Sequence, residues 1–156
     1  MLTPVPITEQ NLSDFLDLQV RPDQVDLLSS NAVTIAQAHY KQNVWLRGLI
    51  AEGAAVGLIA MIDFGDNHAG RRPGDPPNAA YLWRFMIAAA FQGQGYGDQA
   101  MRLAFDQART WGRTSLCLHA VDRPGSAAAF YRRYGLQPTG RVDADDEVFM
   151  AGPVRR

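Results

Sequence analysis

Hydrophobic and polar positions change period several times along the chain, and each change predicts an element. Pro4 to Ile7 reads as a short edge strand, where proline does least harm. Thr8 or Asn11 is placed to cap a helix over Leu12 to Leu18, with Phe15, Leu16 and Leu18 on its buried side. A second helix is expected over Asn31 to Tyr40, a stretch free of Gly and Pro whose packing residues are Val33, Ile35, Ala36 and Ala38. Trp45 to Glu52 and Ala54 to Asp63 follow as two strands rich in Leu, Ile, Val and Trp, and Glu52-Gly53 between them is a natural hairpin point.

The pattern breaks from Phe64 to Ala80, where Gly, Pro, Asp, Asn and Arg can continue neither a strand nor a helix. A loop of that length is unusual for a hairpin, so it reads as a mobile lid over a site or as an inert insertion. Tyr81 to Ile87 is an aromatic and apolar strand that runs into small residues and then the glycines at 93, 95 and 97. A helix follows at once. Tyr96, Ala100, Leu103, Ala104, Ala108 and Trp111 recur in it at helical spacing, with Asp98, Arg102, Asp106 and Arg109 on the wetter side. Ser115 to Val121 is another strand, Ser126 to Tyr134 a short helix, and Gln137 to Val142 with Glu147 to Val154 a closing pair of strands. The whole is a mixed α/β pattern on one sheet.

Composition narrows the function classes. At 156 residues, 47% hydrophobic and 20% charged, the chain has the makeup of an ordinary globular protein, and one domain over 1–156 is expected. A net charge of -1 provides no global basic field, so neither nucleic acid nor an anionic membrane is an expected partner. The single Cys117 cannot form an internal bridge. No apolar stretch approaches the roughly 20 residues of a membrane span, and the first residues carry neither a basic leader nor an apolar core, so a cytoplasmic location is expected. Of the fifteen basic residues only Lys41 is a lysine, a bias read as genome composition.

The segment that carries chemistry is a strand, then Gln92-Gly93-Gln94-Gly95-Tyr96-Gly97, then a helix. Glycines let the backbone turn sharply and approach a ligand, and the start of a helix presents free N–H groups and a positive dipole end, which suits phosphate. A P-loop would need Gly-Lys followed by Ser or Thr, whereas Gly97 is followed by Asp98 and Gln99. A dinucleotide fingerprint would sit at the first strand of a βαβ unit, not past mid-chain after a hairpin. Taken alone, the glycine string reads equally well as a structural turn.

Leu82-Trp83-Arg84-Phe85-Met86-Ile87 through Phe91-Gln92-Gly93-Gln94-Gly95-Tyr96-Gly97 resembles the acetyl-CoA-binding motif Q/R-x-x-G-x-G/A of GNAT superfamily N-acetyltransferases, with every fixed position matched. Ala127-Ala128-Ala129-Phe130-Tyr131-Arg132-Arg133-Tyr134-Gly135-Leu136 is similar to the second motif of that superfamily, a helix carrying Phe-Tyr. Asn31 to Ala38 resembles the early helical region of its spermine/spermidine acetyltransferase-like branch. The resemblance covers nearly the whole chain. It implies a mixed, mostly antiparallel sheet, flanked by helices and splayed open between the strands at 81–87 and 115–121, with acetyl-CoA in the cleft. The pantetheine arm would pair with the backbone near Phe85 and Ile87 as an added strand. The pyrophosphate would sit on the N–H groups of Gly93, Gln94, Gly95, Tyr96, Gly97 and Asp98, with Gln92 helping by its side chain or by shaping the turn.

By the same resemblance the reaction is acetyl transfer to a primary amine of a small molecule, with a polyamine as the first acceptor class and Tyr131 as the group that protonates the departing thiolate. N–H groups near Ile87 can serve the oxyanion. The usual Asn of the second motif is Pro124 here, with Gly125 and Ser126 beside it, and the strand carboxylate of some relatives is replaced by Trp83 and Arg84. Asp63, Glu52, Glu147 or His119 acting through water, or bulk solvent, remain as bases. Each has a bland alternative: Asp63 as a solvated strand end, Asp143, Asp145, Asp146 and Glu147 as a solvated turn, His119 as a core residue with its hydrogen bond satisfied. Asp23, Asp26, Asp63 and Glu52 are the carboxylates available to a polycation, and Trp83, Trp45 and Tyr81 are aromatic residues that could stack on one. His39 and His68 lack companions at metal-ligand spacing, so no metal is expected. A second copy of the chain is an expected partner beside the amine. Rival functions are acetylation of an aminoglycoside, an amino acid or a protein N-terminus and, from another class, a non-catalytic acyl-CoA-binding or regulatory module.

Overall fold

The structure, a computed structural model, describes residues 1–65 and 68–154. Seven strands form one sheet: β1 (Thr3–Val5), β2 (Val44–Ala51), β3 (Ala54–Gly65), β4 (Ala79–Ile87), β5 (Ser115–Val121), β6 (Gln137–Val142) and β7 (Glu147–Pro153), in the order β1-β2-β3-β4-β5-β7-β6. Every neighbouring pair is antiparallel except β4 and β5. Among the described residues four α-helices flank it: α1 (Leu12–Leu16), α2 (Asn31–Ala38), α3 (Tyr96–Thr110) and α4 (Ala128–Arg132). The mixed, mostly antiparallel architecture is the one expected. Among the described residues no helix is long and apolar enough to cross a membrane.

On one face, α3 lays Ala100, Met101, Ala104 and Ala108 against the sheet, a stripe whose small side chains let the helix approach closely. Ala128 and Tyr131 of α4 join that core with Leu82 and Ile87 of β4 and Leu116 and Leu118 of β5. The opposite face is covered by α1, α2 and the chain between them. Phe15 of α1 is fully buried, and it fits because β2 has Gly48 beneath it: a Cβ there would stand 2.1 Å from the ring.

Helix α2 corrects half of the expected packing face: Ile35 and Ala38 pack against the core as expected, but Val33 and Ala36 do not. Its buried residues are Asn31 and Thr34, whereas Val33 and Ala36 face solvent. The reason is a polar tether, since the Asn31 amide donates to the Phe15 carbonyl at 2.8 Å and turns that side of the helix inward. Ser30 caps it, accepting from the Val33 N–H.

The loop expected over 64–80 includes Asp66 and Asn67, which lie outside the described residues. From 68 onward it is tied down: the His68 ring meets the Gln42 carbonyl at 3.0 Å, and the buried Asp75 pairs with Arg141 at 2.6 Å.

Candidate active site

The site begins where the parallel pairing of β4 and β5 ends. The two strands pair only at Ala79↔Ser115, Ala80↔Leu116 and Tyr81↔Cys117. Each then keeps its outer partner, β3 for β4 and β7 for β5, while their inner edges separate. A bulge on β4 accompanies the separation. Ala60 pairs with Arg84 and Met61 with Leu82, which leaves Trp83 as an extra residue, and such an insertion bends and twists the strand that carries it. The inner edges retain unpaired backbone donors and acceptors, the requirement for an extended ligand to add as a strand.

The resulting cleft holds a cavity of about 1090 Å³. Its walls include Phe85, Ile87, Gln92, Gly93, Gly97 and Tyr131, all singled out in the sequence. Gln94 and Gly95 on the same loop, and Tyr96 and Asp98 in the first turn of α3, put no side chain into the cleft, Gly95 having none. Gln94 donates to the Ala90 carbonyl, Tyr96 packs on the core, and Asp98 accepts from Arg133 and from the Tyr134 hydroxyl. Only their backbone could contribute to the cleft.

The loop has the geometry of an anion cradle. Gly93 and Gly95 have φ of 77° and 81°, a left-handed backbone that side chains rarely adopt, and a Cβ at either would meet nothing within 4 Å. Backbone conformation, not crowding, therefore calls for glycine here, and the space in front of both is open. Gly95 is the N-cap of the 15-residue α3 and supplies no side chain to its first N–H groups, which remain available to an anion. Gln92 shapes this turn. Its amide donates to the Ile87 carbonyl at 2.9 Å and to Gln24 at 2.8 Å.

One wall was not legible as an element: the 3₁₀ turn Pro22–Leu27, whose Gln24, Val25 and Asp26 line the cleft. Its Asp23 reaches toward the turn at Gly125, which with Ser126 forms the opposite rim in place of the Asn of the second motif.

The candidate bases separate clearly. Asp63 is gripped by Arg113 at 2.6 and 3.1 Å and is not in the cleft. Glu52 sits at the β2–β3 hairpin with the N-terminal amine. Glu147 and His119 do line the cleft. Asp143, expected as a solvated turn residue, instead accepts from His119. The aromatic residues are already engaged: Lys41 and Arg84 lie over Trp83, Arg47 over Trp45, and Tyr81 stacks on Phe64.

Burial raises the Tyr131 hydroxyl pKa well above its ordinary value, so its proton stays on throughout the working range. The Arg84 guanidinium also lines the cleft. Its contacts are the Trp83 carbonyl, the Ser29 hydroxyl and the Trp83 ring, its Nε is buried without a hydrogen-bond partner, and desolvation lowers its pKa.

Residues 12–136 match the acetyltransferase (GNAT) family. Over 152 residues the chain is 28% identical to the spermine/spermidine N(1)-acetyltransferase of Bacillus subtilis, covering 92% of this chain and 93% of that one. Among solved structures it superposes on Ard1 of Thermoplasma volcanium with a TM-score of 0.73 at 16% identity, covering 99% of each chain. It also superposes on the PaiA N-acetyltransferase of Thermoplasma acidophilum in complex with coenzyme A, with a TM-score of 0.68 at 12% identity and coverage of 98% and 99%. At such identities these two structures speak to the fold.

Proposed function

Because the chain belongs to the GNAT family and is an acyltransferase, we propose that it transfers the acetyl group of acetyl-CoA to a primary amine of a small molecule, with a polyamine as the leading acceptor class. The observation that carries this reading is the opening between β4 and β5 beside the glycine loop, a strand-like slot that ends on a helix N-terminus. The polyamine rests on the named activity of the Bacillus subtilis relative and on Asp26 and Glu147, two carboxylates in the cleft wall.

Acetyl-CoA supplies the acetyl group as an activated thioester. The free edge of β4 from Phe85 to Ile87 aligns the thioester, and its N–H groups meet the negative charge that develops on the carbonyl oxygen. The hydroxyl of Tyr131 keeps its proton at working pH and donates it toward the departing sulfur. A protonated amine is not a nucleophile, so turnover rises from about pH 6 toward pH 9 as the acceptor loses its proton.

Arg84 favours a second reading. A half-buried guanidinium whose protein partners are neutral suits an acceptor that carries a carboxylate beside its amine, as an amino acid does. Thiol release with product mass analysis over spermidine, spermine, amino acids and aminoglycosides decides between them. Fastest turnover on spermidine or spermine supports the first reading, and exclusive turnover on amino acids the second. Acetylation of peptides alone overturns both.

A further inference from the structure

Beside the last residues that β4 and β5 pair, three side chains from three parts of the chain form a hydrogen-bonded row. The Tyr81 hydroxyl on β4 lies 2.7 Å from His119 Nδ1 on β5, and His119 Nε2 lies 2.5 Å from Asp143 Oδ2, just beyond β6. Tyr81 and His119 both line the main cavity, and both also line a second cavity of about 540 Å³ walled by residues of the 68–75 segment. The row stands where β4 and β5 part, next to the bulge at Trp83.

We propose that Tyr81 is the group that takes the proton from the attacking amine, passing its own to His119, which Asp143 holds in the required tautomer. This rests on the acetyl-transfer reading above and assigns its missing base.

The direction of each bond follows from what each group can do. A carboxylate only accepts, so the Asp143 contact fixes the hydrogen of the neutral ring on Nε2. Nδ1 is then the acceptor, and the Tyr81 hydroxyl donates to it. Arg141 Nη2 lies 3.3 Å from the same Nε2, but a guanidinium only donates, and its closer bonds are to Asp75 at 2.6 Å and Asp143 at 3.2 Å. The Tyr81 oxygen keeps a lone pair free to accept from an amine in the cleft. Burial raises the Tyr81 hydroxyl pKa far above its ordinary value, which excludes a standing phenolate. Tyr81 can therefore receive a proton only as it gives one up, and His119 is the group placed to take it.

The protons balance. As the amine nitrogen bonds to the thioester carbon and the carbon–sulfur bond breaks, the proton leaving nitrogen moves to the Tyr81 oxygen and the Tyr81 proton moves to Nδ1. The sulfur receives a proton from Tyr131. His119 then releases its extra proton to solvent, and Tyr131 regains one. Tyr81 is thus the catalytic residue, and His119 and Asp143 act through it. The groups that face the imidazole are Tyr81 from β4, the Phe149 ring and Glu147 from β7, and Arg141 and Asp143 from β6 and its end, with Arg72 touching Asp143 from the loop.

The test measures kcat against pH for the wild type, Tyr81→Phe, His119→Gln and their double variant, with whichever amine of spermidine, spermine, lysine and an aminoglycoside the wild type acetylates fastest. Thermal unfolding confirms that each variant folds. Glutamine keeps an amide donor where Nε2 meets Asp143 but cannot carry a proton onward, so a purely structural role of that contact would survive the change. At about pH 7 each single variant is expected to lose roughly 10²-fold in kcat, the low end of general acid–base catalysis. The acetyl-CoA KM stays unchanged, the double variant is no slower than the slower single one, and the deficit shrinks as pH rises and solvent takes the proton. A folded His119→Gln enzyme with wild-type kcat, or a deficit constant across pH, overturns the relay while leaving the acetyl-transfer reading intact. A wild type that acetylates none of the amines overturns both.

Discussion

The side-chain amide of Gln92 donates to the carbonyl of Ile87 at 2.9 Å, so the first residue of the glycine loop is locked to the last residue of β4. Its second bond, to Gln24, ties the same point to the turn that walls the cleft. The edge expected to pair with pantetheine and the loop expected to hold pyrophosphate are thereby set at one fixed spacing.

Removing that lock should cost affinity without blocking the site. A hydrogen bond contributes about 1 kcal/mol, so Gln92→Ala is expected to weaken acetyl-CoA binding about fivefold in a calorimetric titration. Unchanged affinity would mean that the loop holds its shape through the glycines alone.

For Tyr131 the expected loss is in turnover. Tyr131→Phe retains the ring that packs beside Phe130 and removes only the hydroxyl, so acetyl-CoA affinity should stay near wild type while kcat falls by roughly 10². Steady-state thiol release paired with calorimetry checks both halves. Full turnover under conditions where chemistry limits the rate would move the donor role to another group or to solvent.

Arg84 gives a charge test of the acceptor. Arg84→Met removes a cation from the cleft wall and with it a buried, unpartnered Nε. With a polyamine acceptor the variant should show a lower acceptor KM, because a like charge has gone. With an amino acid acceptor the KM should rise at least tenfold, because a charge-assisted bond to the carboxylate has been lost.

Elements whose signal is local were legible in the sequence. Strand β5 falls at its expected bounds, because the alternation of Leu116, Leu118 and Ala120 marks it without help from the rest of the fold, and β6 falls at its expected bounds as well. The stripe on α3 was likewise readable from its spacing. The short helices came out shorter, α1 ending at Leu16 and α4 confined to Ala128–Arg132, since tertiary packing decides where so short a helix stops. The glycine loop and Tyr131 were found through their motifs, and the structure brings them to one cavity.

Pairings across long sequence distances were not legible. Asp63 looked like a free strand-end acid because nothing local reveals Arg113, fifty residues on. Asp143 looked like one acid among several in a turn, and only the order β5-β7-β6 carries it to His119. Tyr81 and His119 are 38 residues apart, and they meet because β4 and β5 run parallel for three pairs before separating. The turn at Pro22–Leu27 has no periodic pattern to announce it, and its place over the cleft follows from contacts with Gln92 and the Gly125 turn.

Titration of acetyl-CoA into the wild type, Gly95→Val and Gly95→Asn, followed by calorimetry, tests most directly the claim that the cleft ending on the glycine loop is the acetyl-CoA site. Valine is strained at φ of 81° and fills the open space before the helix, whereas asparagine tolerates the left-handed turn and fills only the space. The wild type is expected to bind one equivalent, and both variants, once shown by thermal unfolding to be folded, to bind at least tenfold more weakly, a loss of about 1.4 kcal/mol. Wild-type affinity in a folded Gly95→Asn protein would contradict the account.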